Sequence, residues 1–170
     1  MTDVAAAMGA EQLARLPQFV QRRQYLAARY QAQLAGLPLV LPADAPTGDT
    51  HAWHLYVVRL APGARAGRDE IIQALSDRGI GTSVHYMRLH RQPYWRDRYQ
   101  LTPAGFPHAE AAYQGMLSLP LFTAMHDADQ DRAGQDIEHG ADSQRAQDAD
   151  RHVLSRVARL GARRGDRLEA

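Results

Sequence analysis

GIGTSVHYMRLHRQPYWRDRY, residues 79–99, joins a predicted helix to the chain's richest run of aromatic, histidine and arginine side chains. Two of the eight histidines, His85 and His90, lie in it with the Tyr94–Trp95 pair. Gly79 and Gly81 punctuate its start, as where a strand follows a helix directly. A strand over 80–87 alternates its side chains between two faces. Ile80, Thr82, Val84 and Tyr86 then share the more apolar face, and Gly81, Ser83, His85 and Met87 the other. A face of Gly, Ser and His packs poorly and leaves room for a ligand to approach the sheet. The competing structural reading is a tight strand with a hydrogen-bonded histidine.

Working outward, Arg68 to Arg78 predicts a helix with Asp69 and Glu70 at its positive end. Ile71, Ile72 and Leu75 face inward, and Gly79 closes it. His54 to Leu60, dense in Tyr56, Val57 and Val58, predicts a buried strand, and Pro62-Gly63 a turn. Strand, helix and strand within about thirty residues suit an α/β or α+β domain. Residues 39–53, with Pro42, Pro46, Gly48 and Asp49, predict a loop containing a short strand at 39–41.

Residues 3–35 predict a helix, because Leu13, Leu16, Val20, Leu26, Tyr30 and Leu34 recur at helical spacing while Arg22, Arg23 and Arg29 take the wet side. Pro17 predicts a kink, or two helices meeting at 16–18; Gly36 and Pro38 make the stop. So long an apolar stripe is either core or a docking surface for further protein. Downstream, residues 90–99 predict a short helical turn with Pro93 near its start. Residues 106–116 predict a helix from Pro107 with Ala109, Ala112 and Tyr113 or Met116 inward. A strand over 117–122 is stopped by Pro120, and 127–132 has helix-start composition. Residues 127–150 hold eight acids against two arginines, and 151–170 six arginines against two acids. That predicts a solvated charged tail over 133–170, disordered or loosely helical, rather than a nucleic-acid or membrane arm.

With 170 residues, 45% of them hydrophobic, the chain suffices for one domain with a core. A net charge of +1 gives no nucleic-acid or membrane bias. The absence of cysteine excludes disulfides, thiolate zinc sites and a cysteine nucleophile, and suits the cytoplasm. No apolar run is long enough to span a membrane. All 20 cationic side chains are arginine. Without a lysine amine, this chain alone makes no Schiff base with pyridoxal phosphate or a carbonyl substrate.

The runs GIGTSVHY and LHRQPYWRDRY, with MTDVAAAMG and QLARL near the start, WHLYVV at 53–58 and LSLPLF at 117–122, resemble the C-terminal part of the DegT/DnrJ/EryC1/StrS family. These are pyridoxal-phosphate aminotransferases acting on nucleotide-linked keto sugars. The resemblance covers residues 1–132. The His–Tyr pair followed by a second histidine is most similar to the branch making 4-amino sugars for surface polysaccharides. It implies the small domain of a fold-type I transferase, an α/β (α+β-like) unit with a long N-terminal helix and a small sheet covered by helices. It also implies a homodimeric parent enzyme using an amino-acid donor. By the same resemblance the lysine-bearing domain is missing, the chain is truncated and inactive alone, and 133–170 lies outside the family. The alternative is a non-catalytic module docking through 3–35 on a full-length homologue or a separately encoded cofactor domain.

The resemblance assigns His85 and Tyr86 to the nucleotide-sugar side, although pleat parity turns Tyr86 toward the core. His90 and Arg91 complete the expected substrate-binding set, drawing a diphosphate. Arg88 is a third cation able to draw that diphosphate, but it reads rather as a solvated loop residue, because family members usually carry proline there. Tyr94 and Trp95 read as packing aromatics rather than a base-stacking platform. Zinc at His85 and His90 is opposed by their spacing. No catalytic, covalent cofactor or metal residue is assigned to this chain.

Overall fold

A computed structural model describes residues 1–62, 64 and 66–138. Helix α1 (Asp3–Gln33) starts at Thr2, whose hydroxyl accepts from the Ala5 N–H at 3.3 Å, with Asp3 in its positive first turn. It stops at Leu34, whose N–H donates to the Tyr30 carbonyl, just before Gly36 at φ +85°. Pro17 does not divide it: α1 is one helix of 31 residues. The carbonyl that Pro17 leaves without an N–H belongs to Leu13, on the exposed half of the helix, where water can satisfy it.

The sheet has three antiparallel strands in the order β1 (Leu39–Val40), β2 (Tyr56–Leu60), β3 (Met116–Leu119). Leu39 faces Leu60, and Tyr56, Val58 and Arg59 face Leu119, Leu117 and Met116. Between β2 and β3 lie α2 (Arg68–Asp77), a single 3₁₀ turn (Leu89–Arg91), α3 (Pro93–Tyr99), a second 3₁₀ turn (Pro103–Gly105) and α4 (Pro107–Gly115). Residues 127–138 form a last helix, α5. The core joins Leu26, Tyr30 and Leu34 of α1 to Tyr56 and Val58 of β2, Leu117 and Leu119 of β3, and Ile71 and Leu75 of α2. The molecule is therefore a small antiparallel sheet covered by helices.

The expected strand over 80–87 does not form. That segment meets the sheet only at Ser83, which exchanges backbone bonds of 3.2 and 2.8 Å with Ser118 on the free edge of β3. Gly81 and Ser83 are weak strand formers, and His85 spends its ring on the Ser118 hydroxyl instead of extending the ladder. The arginines assigned to the wet side of α1 strap it to the rest of the molecule. Arg22 donates to the Met125 carbonyl and Asp127 at 2.6 and 2.7 Å, and Arg23 donates to the Trp53 carbonyl at 3.2 Å. Arg29 reaches Gln130 at 3.1 Å and Asp131 at 2.5 Å. Buried Gln130 closes the seam by donating to the Leu26 carbonyl at 2.6 Å. The boundary expected after residue 132 falls inside α5, whose Ala133 and Ile137 belong to the core. The remainder of the expected tail, 139–170, lies outside the described residues, as does Gly63 of the expected turn.

Only the second half of α1 is covered. Leu26, Tyr30 and Leu34 are buried, whereas Val4, Met8, Leu13 and Leu16 are exposed. Ala109 of α4, expected inward, is also exposed, and α4 packs instead through half-buried Ala112, Tyr113 and Gly115.

Candidate functional site

Two fixed points hold the segment from His85 to Arg91. The first is on β3, where His85 Nδ1 lies 3.0 Å from Ser118 Oγ while the Ser118 backbone is occupied by Ser83. The Tyr86 ring stands edge-on to His85 at 4.9 Å and 88°. Tyr86 is 76% exposed, the reverse of the core position that pleat parity gave it. Parity fails because no continuous strand carries the residue.

The second fixed point is Glu110, in the first turn of α4. Its Oε1 lies 2.6 Å from His90 Nε2 and accepts from Arg91 Nε at 2.9 Å, and its Oε2 accepts from Arg91 Nη2 at 3.1 Å. The hydrogen bonds from Arg91 and then His90 hold this carboxyl down at about 2, against the pull of partial burial. An ionised carboxylate only accepts, so His90 carries its proton on Nε2. His90 itself is 4% exposed, stacked on Phe106 at 4.5 Å. It is thus a buried brace for Glu110, and Arg91 is the exposed cation of the pair.

Arg88, expected in a solvated loop, is packed. Its side chain is 15% exposed, with the guanidinium carbon 4.1 Å from the Tyr113 ring centre and Nε 3.0 Å from Glu110 Oε1. Tyr113 also carries Arg68, whose guanidinium carbon is 4.7 Å from the ring centre and whose Nη1 donates to the Tyr113 carbonyl at 2.6 Å. Tyr94 and Trp95, expected to pack into the fold, are exposed and pack on one another and on Tyr99. Trp95 lies edge-on to Tyr94 at 5.2 Å and stacks with Tyr99 at 5.8 Å. His85 and His90 have separate partners, and among the described residues no three His, Cys, Asp or Glu side chains group to hold a metal.

Of the four predicted substrate-binding residues, the fold brings His90 and Arg91 together on Glu110, holds His85 on Ser118 and sets exposed Tyr86 against the His85 ring. Glu110 and Ser118 were not picked out in the sequence. One signal was there: Glu110 is the sole acid of α4, downstream of the histidines and arginines of 85–91, a stretch that lacks carboxylates of its own. Among the described residues no helix is long and apolar enough to cross a membrane.

Residues 1–138 match the DegT/DnrJ/EryC1/StrS aminotransferase family. The spore coat polysaccharide biosynthesis protein SpsC of Bacillus subtilis (strain 168) is 40% identical over 148 residues, 84% of this chain and 38% of SpsC. A putative sugar aminotransferase of Streptococcus pneumoniae, solved in its PLP-form, superposes with a TM-score of 0.75 at 30% identity, over 85% of this chain and 36% of that one. DesI, solved in the presence of its TDP-sugar product, gives a TM-score of 0.74 at 26% identity, over 89% and 38% of the two chains. The chain therefore spans less than two fifths of the length of these relatives. On the match over 1–138, the chain belongs to the DegT/DnrJ/EryC1/StrS aminotransferase family.

Proposed function

We propose that this chain is the part of a pyridoxal-phosphate-dependent sugar aminotransferase that receives the sugar nucleotide, and that it is inactive by itself. The parent reaction moves an amino group from an amino acid, glutamate in this reading, to a nucleotide-linked 4-keto sugar for a surface polysaccharide or amino sugar. One observation carries the proposal: the match to sugar aminotransferases occurs in a chain whose 20 cationic side chains include no lysine. Pyridoxal phosphate, when bound, supplies the electron sink for transamination and is held through a lysine amine. The residues present here offer no such amine and do not make up that site. What they offer is the doubly anchored 85–91 segment. Tyr86 presents a phenol and Arg91 a guanidinium, groups that bond sugar hydroxyls and phosphate oxygens. His85 lies beside them, and buried His90 serves by fixing Arg91 through Glu110.

The test uses the 170-residue chain with pyridoxal phosphate, glutamate and a TDP-linked 4-keto sugar. The expected result is no amino sugar, no aldimine absorbance and no pyridoxyl adduct after borohydride reduction. Transamination by the purified chain alone refutes its inactivity. Addition of the TDP-sugar should shift the NMR signals of His85 and Tyr86; unmoved signals at saturating ligand refute the receiving role.

The second reading, a docking module, draws on α1. Val4, Met8 and Leu16 lie on the same helical face as buried Leu26, Tyr30 and Leu34, so the apolar stripe runs on past its cover. A full-length homologue, or a separately made lysine-bearing domain, would cover it. Size-exclusion chromatography decides: a stable mixed complex supports docking, and separate elution at micromolar concentration refutes it. The nucleic-acid role weighed for residues 151–170 falls outside the described residues.

A further inference from the structure

Arg88 is an anomaly of satisfaction. Its Nε is fully buried and has no hydrogen-bond partner, because the N–H does not aim at Glu110 despite the 3.0 Å approach. Its terminal nitrogens make no hydrogen bond to the described residues either. Of the five donors a guanidinium carries, the buried Nε–H is the one that stands against the general rule that buried polar groups are paired. The group is nevertheless held in place, by the Tyr113 ring at 4.1 Å and by the charge of Glu110. The same carboxylate already serves Arg91 through both oxygens. Two guanidiniums thus share one negative charge, and among the described residues one positive charge is left uncompensated.

The geometry points to Arg88 as an anion-binding residue that seats a pair of oxygens from a phosphate or carboxylate group, with Arg91 adding field from the far side of Glu110. A planar fork suits two coplanar oxygens, and such bonds are stronger for being charge-assisted. Tyr113 acts as the positioning residue: its ring fixes the guanidinium before the anion arrives, which lowers the ordering cost of binding. The seat depends on the surroundings of Arg88 alone and stands independently of the aminotransferase assignment, which the turnover and adduct assays test separately.

The probes are inorganic phosphate, acetate, thymidine diphosphate and thymidine, titrated into the full chain and followed by the NMR signals of the arginine Nε–H groups. Phosphate or acetate should shift the Arg88 signal saturably, and whichever binds more tightly identifies a phosphoryl or a carboxyl ligand. Thymidine diphosphate should bind and thymidine should not. Arg88→Gln should weaken the better anion about tenfold or more, with Arg88→Lys recovering part of the loss. Glu110→Gln removes the competing charge and should tighten the anion, a gain that misfolding does not produce. Equal affinity in wild type and a folded Arg88→Gln overturns the proposal. So does thymidine binding as tightly as its diphosphate, or an Arg88 signal that no anion moves. Should Arg88→Gln lose its far-ultraviolet dichroism, Glu110→Gln decides, and weaker anion binding by that variant, folded, also overturns it.

Discussion

Tyr30 and Tyr56 lie side by side in the core, ring centres 4.9 Å apart, both fully buried, yet their hydroxyls differ. Tyr30 Oη donates to the Pro120 carbonyl at 3.0 Å, tying α1 to the end of β3. Tyr56 Oη is buried with no partner. The same substitution should therefore have opposite signs. Tyr30→Phe removes a made bond and should cost about 1 kcal/mol, or more if the Pro120 carbonyl stays dry. Tyr56→Phe removes a desolvated, unpaired hydroxyl and should be neutral or stabilising by up to about 1 kcal/mol. Urea unfolding followed by far-ultraviolet dichroism measures both at once, with m unchanged. The two tyrosines also set an alkaline limit. Burial raises both phenols well above their ordinary value, so the folded state keeps protons that the unfolded chain releases. Stability is then complete below about pH 10 and falls above it, by about 1.4 kcal/mol per pH unit for each tyrosine. Each Phe variant should remove one of those two increments from the slope. Equal destabilisation by the two variants, or a double variant whose alkaline slope matches wild type, refutes this account of the core.

Glu110 gives an acid counterpart. Its lowered folded value means that its contribution is present above the ordinary carboxylate range and is lost as pH falls toward about 2. Carboxyl carbon NMR should find it still ionised at about pH 3, where exposed glutamates are mostly protonated; Arg91→Gln should move its midpoint upward. Gly115→Ala would bring a Cβ within 3.3 Å of the Leu60 backbone nitrogen, so it should destabilise by about 1–3 kcal/mol in urea unfolding. Leu75→Ala, at a fully buried position of α2, should cost about 2–5 kcal/mol in the same assay.

The elements legible in the sequence are those whose signals are local. The caps and periodicity of α1 and α2, Pro93 and Pro107 at the first positions of α3 and α4, and the β-formers of β2 all act within a few residues. The 80–87 segment shows where that ends. Its alternation is real, but an edge pairing depends on what the neighbouring strand offers, and β3 offers only Ser118. The arginines of α1 were misplaced for a related reason. Helical periodicity says which face is polar, but not that Asp127 and Asp131, about a hundred residues on, will meet that face. The exposed aromatics of α3 were judged by composition, and composition is silent on whether rings cover the core or each other.

The site depends on a continuity that no motif records. Helix α4 passes into β3 without an intervening loop, Gly115 being followed at once by Met116. Glu110 and Ser118 therefore sit on one uninterrupted piece of secondary structure, packed against β2 where Gly115 meets the Leu60 backbone. The two anchors of the 85–91 segment are thus joined by helix and strand with no loop between them. Tyr86, Met87 and Leu89 stay exposed between those anchors instead of collapsing onto the core, as side chains of their hydrophobicity otherwise would. A loosened α4–β3 junction would free the segment without touching any residue that faces the ligand. Gly115→Ala consequently probes the site as well as the fold: at temperatures where the variant remains folded, the Arg88 and Arg91 Nε–H signals should broaden or move while those of the α1–α5 seam hold still.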